Sequence, residues 1–367
     1  MNFGNGETMA ARIASSVISK DRNIIKAIRF EYPDHIPMTF HINDACWHHY
    51  PQEQLFDLME SHSFLFPDFV RPPLPYTPDY NPSTLKDHPY TDSFGCVWET
   101  QDDGLMGIIT GHPLASWDAW KNYKMPDPAK TNGLEEVDWV AEEEHVRAAR
   151  ARGEVTTGGL RHGHTFLQLT YLRGYENLII DMAEEEPLLD ELIDRLGAFN
   201  LEVVKHYVGM DCDIITFAED LGAQIGPMVR PDDFKRYIKP SYKRIMQPAR
   251  DAGLLIHMHS DGDIRLLCFD LIENGVNVLN LQDLVNGIDF IRDNLKGKVC
   301  IELDIDRQNV TPFGTPEEVD ALILEEVRTL GSKAGGLAMI YGLYPGVPLE
   351  NVKALMDAME KYAFYYS

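Results

Sequence analysis

After Asp138 the sequence settles into a regular alternation of short apolar runs and longer amphipathic stretches, and this alternation constrains the fold more than any other feature. The runs 155–159, 214–218, 254–258, 276–281, 299–303 and 336–341 have the length and composition of buried strands. An earlier strand starts near Ile36, where Pro33-Asp34-His35-Ile36-Pro37 turns into Met38-Thr39-Phe40-His41. Helical patterns separate the strands. Residues 140–150 place acids early and arginines late, the charge order that a helix dipole favours. In 187–208, Leu188, Leu192, Leu196, Leu201, Val204 and Tyr207 recur near helical spacing. Further helices are expected through Phe234, Tyr237 and Ile238, over 245–251, 266–274, 288–295 and 348–362, and from Thr315-Pro316-Glu317-Glu318, which supplies an N-cap, a first-position proline and first-turn acids. Seven β/α steps can be counted. Apolar strands alternating with helices imply a parallel sheet, so the expected fold is α/β, a (β/α)8 TIM barrel with one step obscured. An open doubly wound sheet is disfavoured because no GxGxxG turn follows an early strand.

The rest of the chain reads as additions to that barrel. Residues 1–35 form an N-terminal extension, with a helix expected from about Met9, and 46–138 form a long insertion after the first strand. The insertion is rich in Pro, Tyr and Asp, and a segment of that size is expected to cover the pocket. Within it, 95–100 and 106–110 read as short strands joined at Gln101-Asp102-Asp103-Gly104. The whole of 1–367 is thus expected to be a single domain. Against 33 basic side chains stand 58 acidic ones, a formal charge of −25 that repels phosphate backbones and anionic bilayers and argues against nucleic-acid and membrane partners. The five cysteines are scattered without CxxC spacing, so no disulfide framework is expected, and Cys212 and Cys300 read as small core residues. Arg12 and Lys20 flank no apolar run of signal length and no transmembrane stretch follows, which makes a cytoplasmic location the expectation.

Parallel barrel strands deliver their C-terminal residues to one face, where barrel enzymes keep their chemistry. The exits here carry His41 and Asn43, then Arg161, His162 and His164, then Glu219 and Asp220, then His257, His259 and Asp261, then Gln282 and Asp283, Glu302 and Asp304, and finally Tyr341 and Tyr344. Histidine and carboxylate together suit zinc or another borderline cation. His257 and His259 alternate along one strand and share a side; His257 reads first as a core histidine and His259 as the functional one. Glu219 and Asp220 end an apolar strand, where an unpaired charge is costly, and a rim salt bridge to Arg161 or Arg230 is the alternative.

Several segments in order then resemble a known family. They are Ala27-Ile28-Arg29-Phe30-Glu31-Tyr32-Pro33-Asp34-His35-Ile36-Pro37, Asp92-Ser93-Phe94-Gly95-Cys96-Val97-Trp98, His259-Ser260-Asp261-Gly262-Asp263-Ile264, Glu273-Asn274-Gly275-Val276-Asn277, Phe313-Gly314-Thr315-Pro316-Glu317-Glu318-Val319 and Pro345-Gly346-Val347-Pro348-Leu349-Glu350-Asn351-Val352. Together they resemble the uroporphyrinogen decarboxylase superfamily over nearly the whole chain. The resemblance implies a (β/α)8 barrel and either a decarboxylase or a corrinoid-linked methyltransferase. The arginine-rich segment of the decarboxylases has no counterpart in Met38-Thr39-Phe40-His41-Ile42-Asn43-Asp44-Ala45-Cys46, which disfavours heme-pathway decarboxylation. The methyltransferase branch holds zinc through a His-x-Cys pair and a later cysteine. His259 matches the histidine, but Asp261 stands at the first cysteine position and the later position, near Tyr341 and Gly342, has none.

The resemblance therefore implies a zinc-dependent methyltransferase of O-demethylase type. It would move a methyl group from a small methylated substrate, such as a methoxylated aromatic, to the Co(I) corrinoid of a separate carrier protein. The cobalamin would belong to that partner. The expected metal ligands are Glu219, His259, Asp261 and Glu302, with Asp283 as an alternative fourth, and the first three are also the catalytic set. His41, Asn43, His162, His164 and Tyr341 are expected to line the substrate. Barrels of this family often pair, which makes a homodimer a further expectation. Two alternatives stand beside this reading: a metal-independent decarboxylase or lyase of a small carboxylic acid using His259 and Asp261 as an acid/base pair, and a noncatalytic binding barrel.

Overall fold

The computed structural model describes residues 22–367, and the helix expected from about Met9 lies outside them. Through the described residues run seven parallel strands: β1 (Met38–Ile42), β2 (Thr157–Gly159), β3 (Ile214–Asp220), β4 (Leu255–Asp261), β5 (Val278–Gln282), β6 (Cys300–Asp304) and β7 (Leu337–Leu343). Each falls on one of the seven apolar runs, and the class is the α/β barrel class read from the sequence. The chain forms two compact units. The first comprises Tyr90–Trp98 and Ile108–Leu281 with Arg22, and the second Asn23–Pro89, Glu99–Gly107 and Gln282–Ser367. The stretch 46–138 is shared between them.

In the first unit the strand order is β2-β3-β4-β5. The register of β3 on β4 runs without interruption from Ile214 opposite Leu255 to Asp220 opposite Asp261. Because side chains alternate across a strand, Thr216, Ala218 and Asp220 share a face with His257, His259 and Asp261, while Ile215, Phe217 and Glu219 point the other way with Ile256, Met258 and Ser260. The helices of this unit include α1 (Trp139–Ala151), α2 (Phe166–Arg173), α3 (Pro187–Gly209) and α4 (Lys239–Asp251). Asp138 caps α1 by accepting from the amides of Val140 and Ala141, and Glu186 does the same for α3 at Leu188. The inner stripe of α3 buries Leu189, Leu192, Leu196, Val203, Val204 and Tyr207, each worth about 1.5–3 kcal/mol of transfer free energy for an aliphatic side chain. Pro240 stands in the first turn of α4, where its missing amide is harmless, so it opens that helix. The helix expected over 266–274 forms only at Cys268–Glu273, leaving Leu266 in solvent. The two short strands expected in the insertion are Val97–Glu99 and Ile108–Gly111, in a small sheet with Tyr90–Thr91.

The second unit orders its strands β1-β7-β6 and packs α5 (Pro316–Leu330) and α6 (Leu349–Ala363) beside them. The Thr315 hydroxyl accepts from the Glu318 amide while the Glu318 carboxylate accepts from the Thr315 amide, the reciprocal cap that the sequence announces. Inside this unit Glu326 of α5 is fully buried, with no hydrogen-bond donor to either oxygen among the described residues. Burial, then the nearby Asp283 charge, pushes its pKa well above the usual value. A raised acid pKa gives stability that is complete below the unfolded value and lost as pH rises through the folded one. Glu326→Gln is therefore expected to match the wild type near pH 4 and to exceed it by roughly 1–3 kcal/mol at pH 8, measurable as urea unfolding at both pH values. All five cysteines are buried free thiols. Among the described residues no helix is long and apolar enough to cross a membrane.

Candidate metal centre

The exits of β2, β3 and β4 bring together His162, Asp220 and His259, whose ligand-capable atoms all lie within 4.8 Å of one another. His162 Nε2 stands 3.2 Å from Asp220 Oδ1, and His259 Nε2 stands 3.6 Å from the same oxygen. The Asp261 carboxylate is 3.7 Å from His259 Nε2. Tetrahedral zinc with bonds of about 2.0–2.2 Å separates its donors by about 3.3–3.6 Å, so these spacings fit such an ion with little adjustment. The side chains of His162, Asp220 and His259 are between 18 and 33 % exposed, which leaves the centre open to an incoming molecule.

The donor chemistry fits as well. Asn280 of β5, opposite His259 in the strand register, accepts a hydrogen bond from His259 Nδ1 through its Oδ1. That fixes a proton on Nδ1 and leaves Nε2, turned toward Asp220, as the nitrogen that would exchange its proton for a metal. Burial by itself raises the Asp220 pKa, but the His162 and then the His259 imidazoles reverse this and hold it well below the usual carboxylate range. Burial likewise lowers the His162 pKa, and the Asp220 charge more than restores it. The strand end is locked in place. The Asp261 amide donates to Asp220 Oδ1 at 3.3 Å and the Leu221 amide to Ser260 Oγ at 2.8 Å. Gly262 adopts φ +78°, and any Cβ there would overlap the carbonyl of Gly222. Removing the support behind His259 by Asn280→Ala is expected to weaken zinc binding about 10- to 100-fold with the fold unchanged, a difference that calorimetric titration would read directly.

The other expected site residues are placed differently. Glu219 points to the opposite face of β3, where it accepts from the amides of Thr165, Phe166 and Leu167 at the start of α2. Both of its oxygens are engaged there. Burial pushes its pKa up to about 7, with the Leu167 and Thr165 amides pulling it back. His164 lies on that side too, wholly buried between Phe217 and Tyr242, its Nδ1 2.6 Å from the Thr165 hydroxyl. Burial drives its pKa far below the ordinary histidine value, so it is a neutral core residue. His41, Asn43, Glu302 and Tyr341 belong to the second unit. There burial lowers the His41 pKa to about 4, Asn43 Oδ1 accepts from the Ala45 amide, and the Tyr341 hydroxyl donates to Thr311 at 3.0 Å against the Phe40 ring. Glu302 is 2 % exposed on β6.

Two features escaped the sequence reading. Asp220 is expected at a strand exit but not as a ligand, and the signal that favours it over Glu219 is parity: it shares the strand face of Thr216 and Ala218, small residues that leave room, whereas Glu219 shares that of Ile215 and Phe217. The second is another histidine–carboxylate group, in the second unit, where His48 Nε2 and His49 Nε2 lie 3.0 and 2.8 Å from the two oxygens of Asp102. Adjacent histidines in a four-residue helix give no periodic signal. This group is more exposed than the β-exit centre, at 33–45 % for its three side chains, so solvent competes more strongly for its donors.

Residues 91–362 match the profile of the uroporphyrinogen decarboxylase (URO-D) family. The chain is 22 % identical over 190 residues to a uroporphyrinogen decarboxylase of Prochlorococcus marinus, covering 49 % of this chain and 50 % of that one. It is 27 % identical over 185 residues to that of Thermus thermophilus, covering 50 and 51 %. The aligned part thus spans about half the length of these curated relatives. In structure it is similar to a methyltransferase from Methanosarcina mazei, with a TM-score of 0.61 and 16 % identity over 95 % of this chain and 100 % of the other, a likeness of fold.

Proposed function

The chain belongs to the uroporphyrinogen decarboxylase family, and from that premise we propose that it is a zinc-dependent methyltransferase that moves a methyl group from a small methoxylated compound to the Co(I) corrinoid of a separate carrier protein. The reading takes 1–367 as one barrel domain. The observation that carries it is the convergence of His162 Nε2, Asp220 Oδ1 and His259 Nε2 within 4.8 Å. These three would hold the metal, with Asp261 as the nearest further donor, in place of Glu219, whose oxygens cap α2. A bound zinc would supply Lewis acidity toward the ether oxygen from which the methyl group leaves.

The chain's own side chains do the positioning. Asn280 keeps His259 in the donor tautomer, and the Asp261 amide holds the Asp220 carboxylate toward the imidazoles. Tyr171 stays protonated, because burial and then the Asp220 charge raise its pKa. Its phenol keeps its proton within electrostatic reach of Asp220 and would be available to donate to a departing oxygen there. An oxygen and nitrogen ligand set is harder than a thiolate set and suits an ether oxygen better than a thiol.

The test is a screen of methoxyaromatics, betaines and methylamines with reduced corrinoid carrier proteins, following methylcobalamin formation by its absorbance, alongside metal analysis of protein purified without chelator. Methyl uptake with about one zinc per chain is the expected result. Full activity in metal-free protein would sink the zinc assignment, and no uptake with any donor would sink the methyl transfer. A second reading draws on the His162–Asp220 pair at 3.2 Å and on the activity named for the curated relatives: a metal-independent decarboxylase or lyase of a small acid. Carbon dioxide release by chelator-treated protein would favour it.

A further inference from the structure

His48, His49 and Asp102 gather two imidazoles around one carboxylate wholly inside the second unit, apart from the β-exit centre of the first. Each of the three is held by its own backbone. The helix Cys46–His49 buries its first two residues: the Cys46 thiol donates to the Leu343 carbonyl at 3.2 Å, and Trp47 packs on Phe56 and Tyr76. His48 and His49 are thereby left side by side and exposed, their ring centroids 4.9 Å apart. Asp102 comes from the turn Gln101-Asp102-Asp103-Gly104, 54 positions along the chain from His48. In that turn the Gly104 amide donates to the Thr84 carbonyl at 2.9 Å and the Lys86 amide donates to Asp103 Oδ1 at 2.7 Å. Gly104, at φ +86°, sits so close to Ala45 that any Cβ would overlap the Ala45 amide. The helix and the turn are therefore seated against each other before the three side chains meet.

The donors meet in a pattern that a metal can use. His48 Nε2 stands 3.0 Å from one oxygen of Asp102 and His49 Nε2 2.8 Å from the other. Donors bound at about 2.0–2.2 Å and about 90° apart are separated by about 2.8–3.1 Å, the spacing of a tetragonal or octahedral ion rather than a tetrahedral one. A small rotation of each ring would aim it at an ion beside the carboxylate, and side chains 33–45 % exposed have room for it, with water completing the shell. The Tyr80 hydroxyl lies 3.3 Å from His48 Nδ1 and can hold the proton there, which leaves Nε2 to a metal. Charge favours a dication: Asp103 and Asp44 act on Tyr80 together with Asp102, and the whole chain carries −25. His62 of the same unit shows the contrasting arrangement, one imidazole on one carboxylate, with Nε2 3.0 Å from Asp357 and Nδ1 spent on the Leu58 carbonyl at 2.7 Å.

We propose that His48, His49 and Asp102 form a second metal site, which takes a divalent transition-metal ion of the nickel type and staples the 101–104 turn of the insertion to the helix that follows β1. The ion replaces the two protons that His48 and His49 otherwise share with Asp102. Openness to solvent makes this the weaker and faster-exchanging of the two centres, so protein purified without added metal keeps an ion at the β-exit centre alone. The site does not depend on methyl transfer or on zinc in the first unit.

The test titrates metal-free full-length wild type, Asp102→Asn, His49→Gln and Tyr80→Phe with nickel chloride by calorimetry. Tyr80→Phe should weaken one nickel-binding step about tenfold, the effect of losing a partner behind a ligand, and the two ligand substitutions should weaken the same step by more than about 100-fold. None of these residues is a donor of the β-exit centre, so any step that belongs to that centre should be common to all four proteins. Hydrogen exchange over residues 100–105 reads the staple: nickel should slow it in wild type and leave it unchanged in Asp102→Asn. Should a variant fail to fold, exchange in the wild type decides alone. Nickel titrations that are the same for wild type and Asp102→Asn, magnesium or calcium binding as tightly as nickel, or exchange over 100–105 that nickel does not slow would each overturn the site.

Discussion

Asp220→Asn is expected to yield folded protein that no longer retains zinc and, with it, loses methyl transfer. The substitution preserves size and can still accept from the Asp261 amide, so the strand end keeps its lock. What disappears is the negative charge between two imidazoles at 3.2 and 3.6 Å. Loss of a partner that merely supports a ligand costs about 10- to 100-fold in metal affinity, and loss of a ligand should exceed that. Asp261→Asn provides the contrast. Its carboxylate approaches one imidazole, that of His259 at 3.7 Å, where Asp220 faces two, and a smaller loss is expected. Metal content after gel filtration and calorimetric zinc titration of both variants rank the two carboxylates. Unchanged zinc in Asp220→Asn would remove that residue from the ligand set.

Glu219→Ala should be the most damaging single change in the first unit, and it should act on stability. The variant leaves three amides at the start of α2 without an acceptor in a site that is 0 % exposed. Each unsatisfied buried donor costs about 1–3 kcal/mol, and partial relaxation and water entry should bring the total to roughly 3–5 kcal/mol. A helix of eight residues held by one carboxylate has little else at that end. Since α2 follows the segment carrying Arg161 and His162, zinc affinity should fall with it. Guanidinium unfolding of Glu219→Ala beside Asp220→Asn separates the two roles: the first should lose stability and the second metal. A Glu219→Ala protein of wild-type stability would show the cap to be dispensable.

Strand existence was legible because apolar runs of five or so residues recur between amphipathic helices, and the helix starts at Asp138 and Thr315 were legible because their caps are local. The region of the candidate centre stands out for the same reason, since polar residues ending apolar strands have few structural uses. The choice among neighbours was harder. Glu219 and Asp220 differ in sequence by one place and in space by a whole strand face. Deciding between them needs the parity of the strand, which the small Thr216 and Ala218 hint at and only the pairing with β4 fixes. His164 follows the same rule: its segment leaves β2 through Gly163, at φ +73°, and a turn of that kind hides the direction of the next side chain. Long-range juxtapositions, such as Asp102 with His48 and His49, leave no local trace at all.

The unbroken seven-residue register of β3 on β4 has an evolutionary consequence. Each strand carries two alphabets of side chains, one per face, and a single-residue deletion upstream of its end would exchange them wholesale. In β4 that slip would present Ser260 and Gly262 where His259 and Asp261 now stand; in β3 it would present Leu221 for Asp220. A point substitution removes one group of this centre at a time, whereas one codon lost from a strand would retire the whole set and offer different groups on the same framework. Lineages that keep the chemistry should therefore tolerate length changes in the connecting loops and almost none within 214–220 or 255–261.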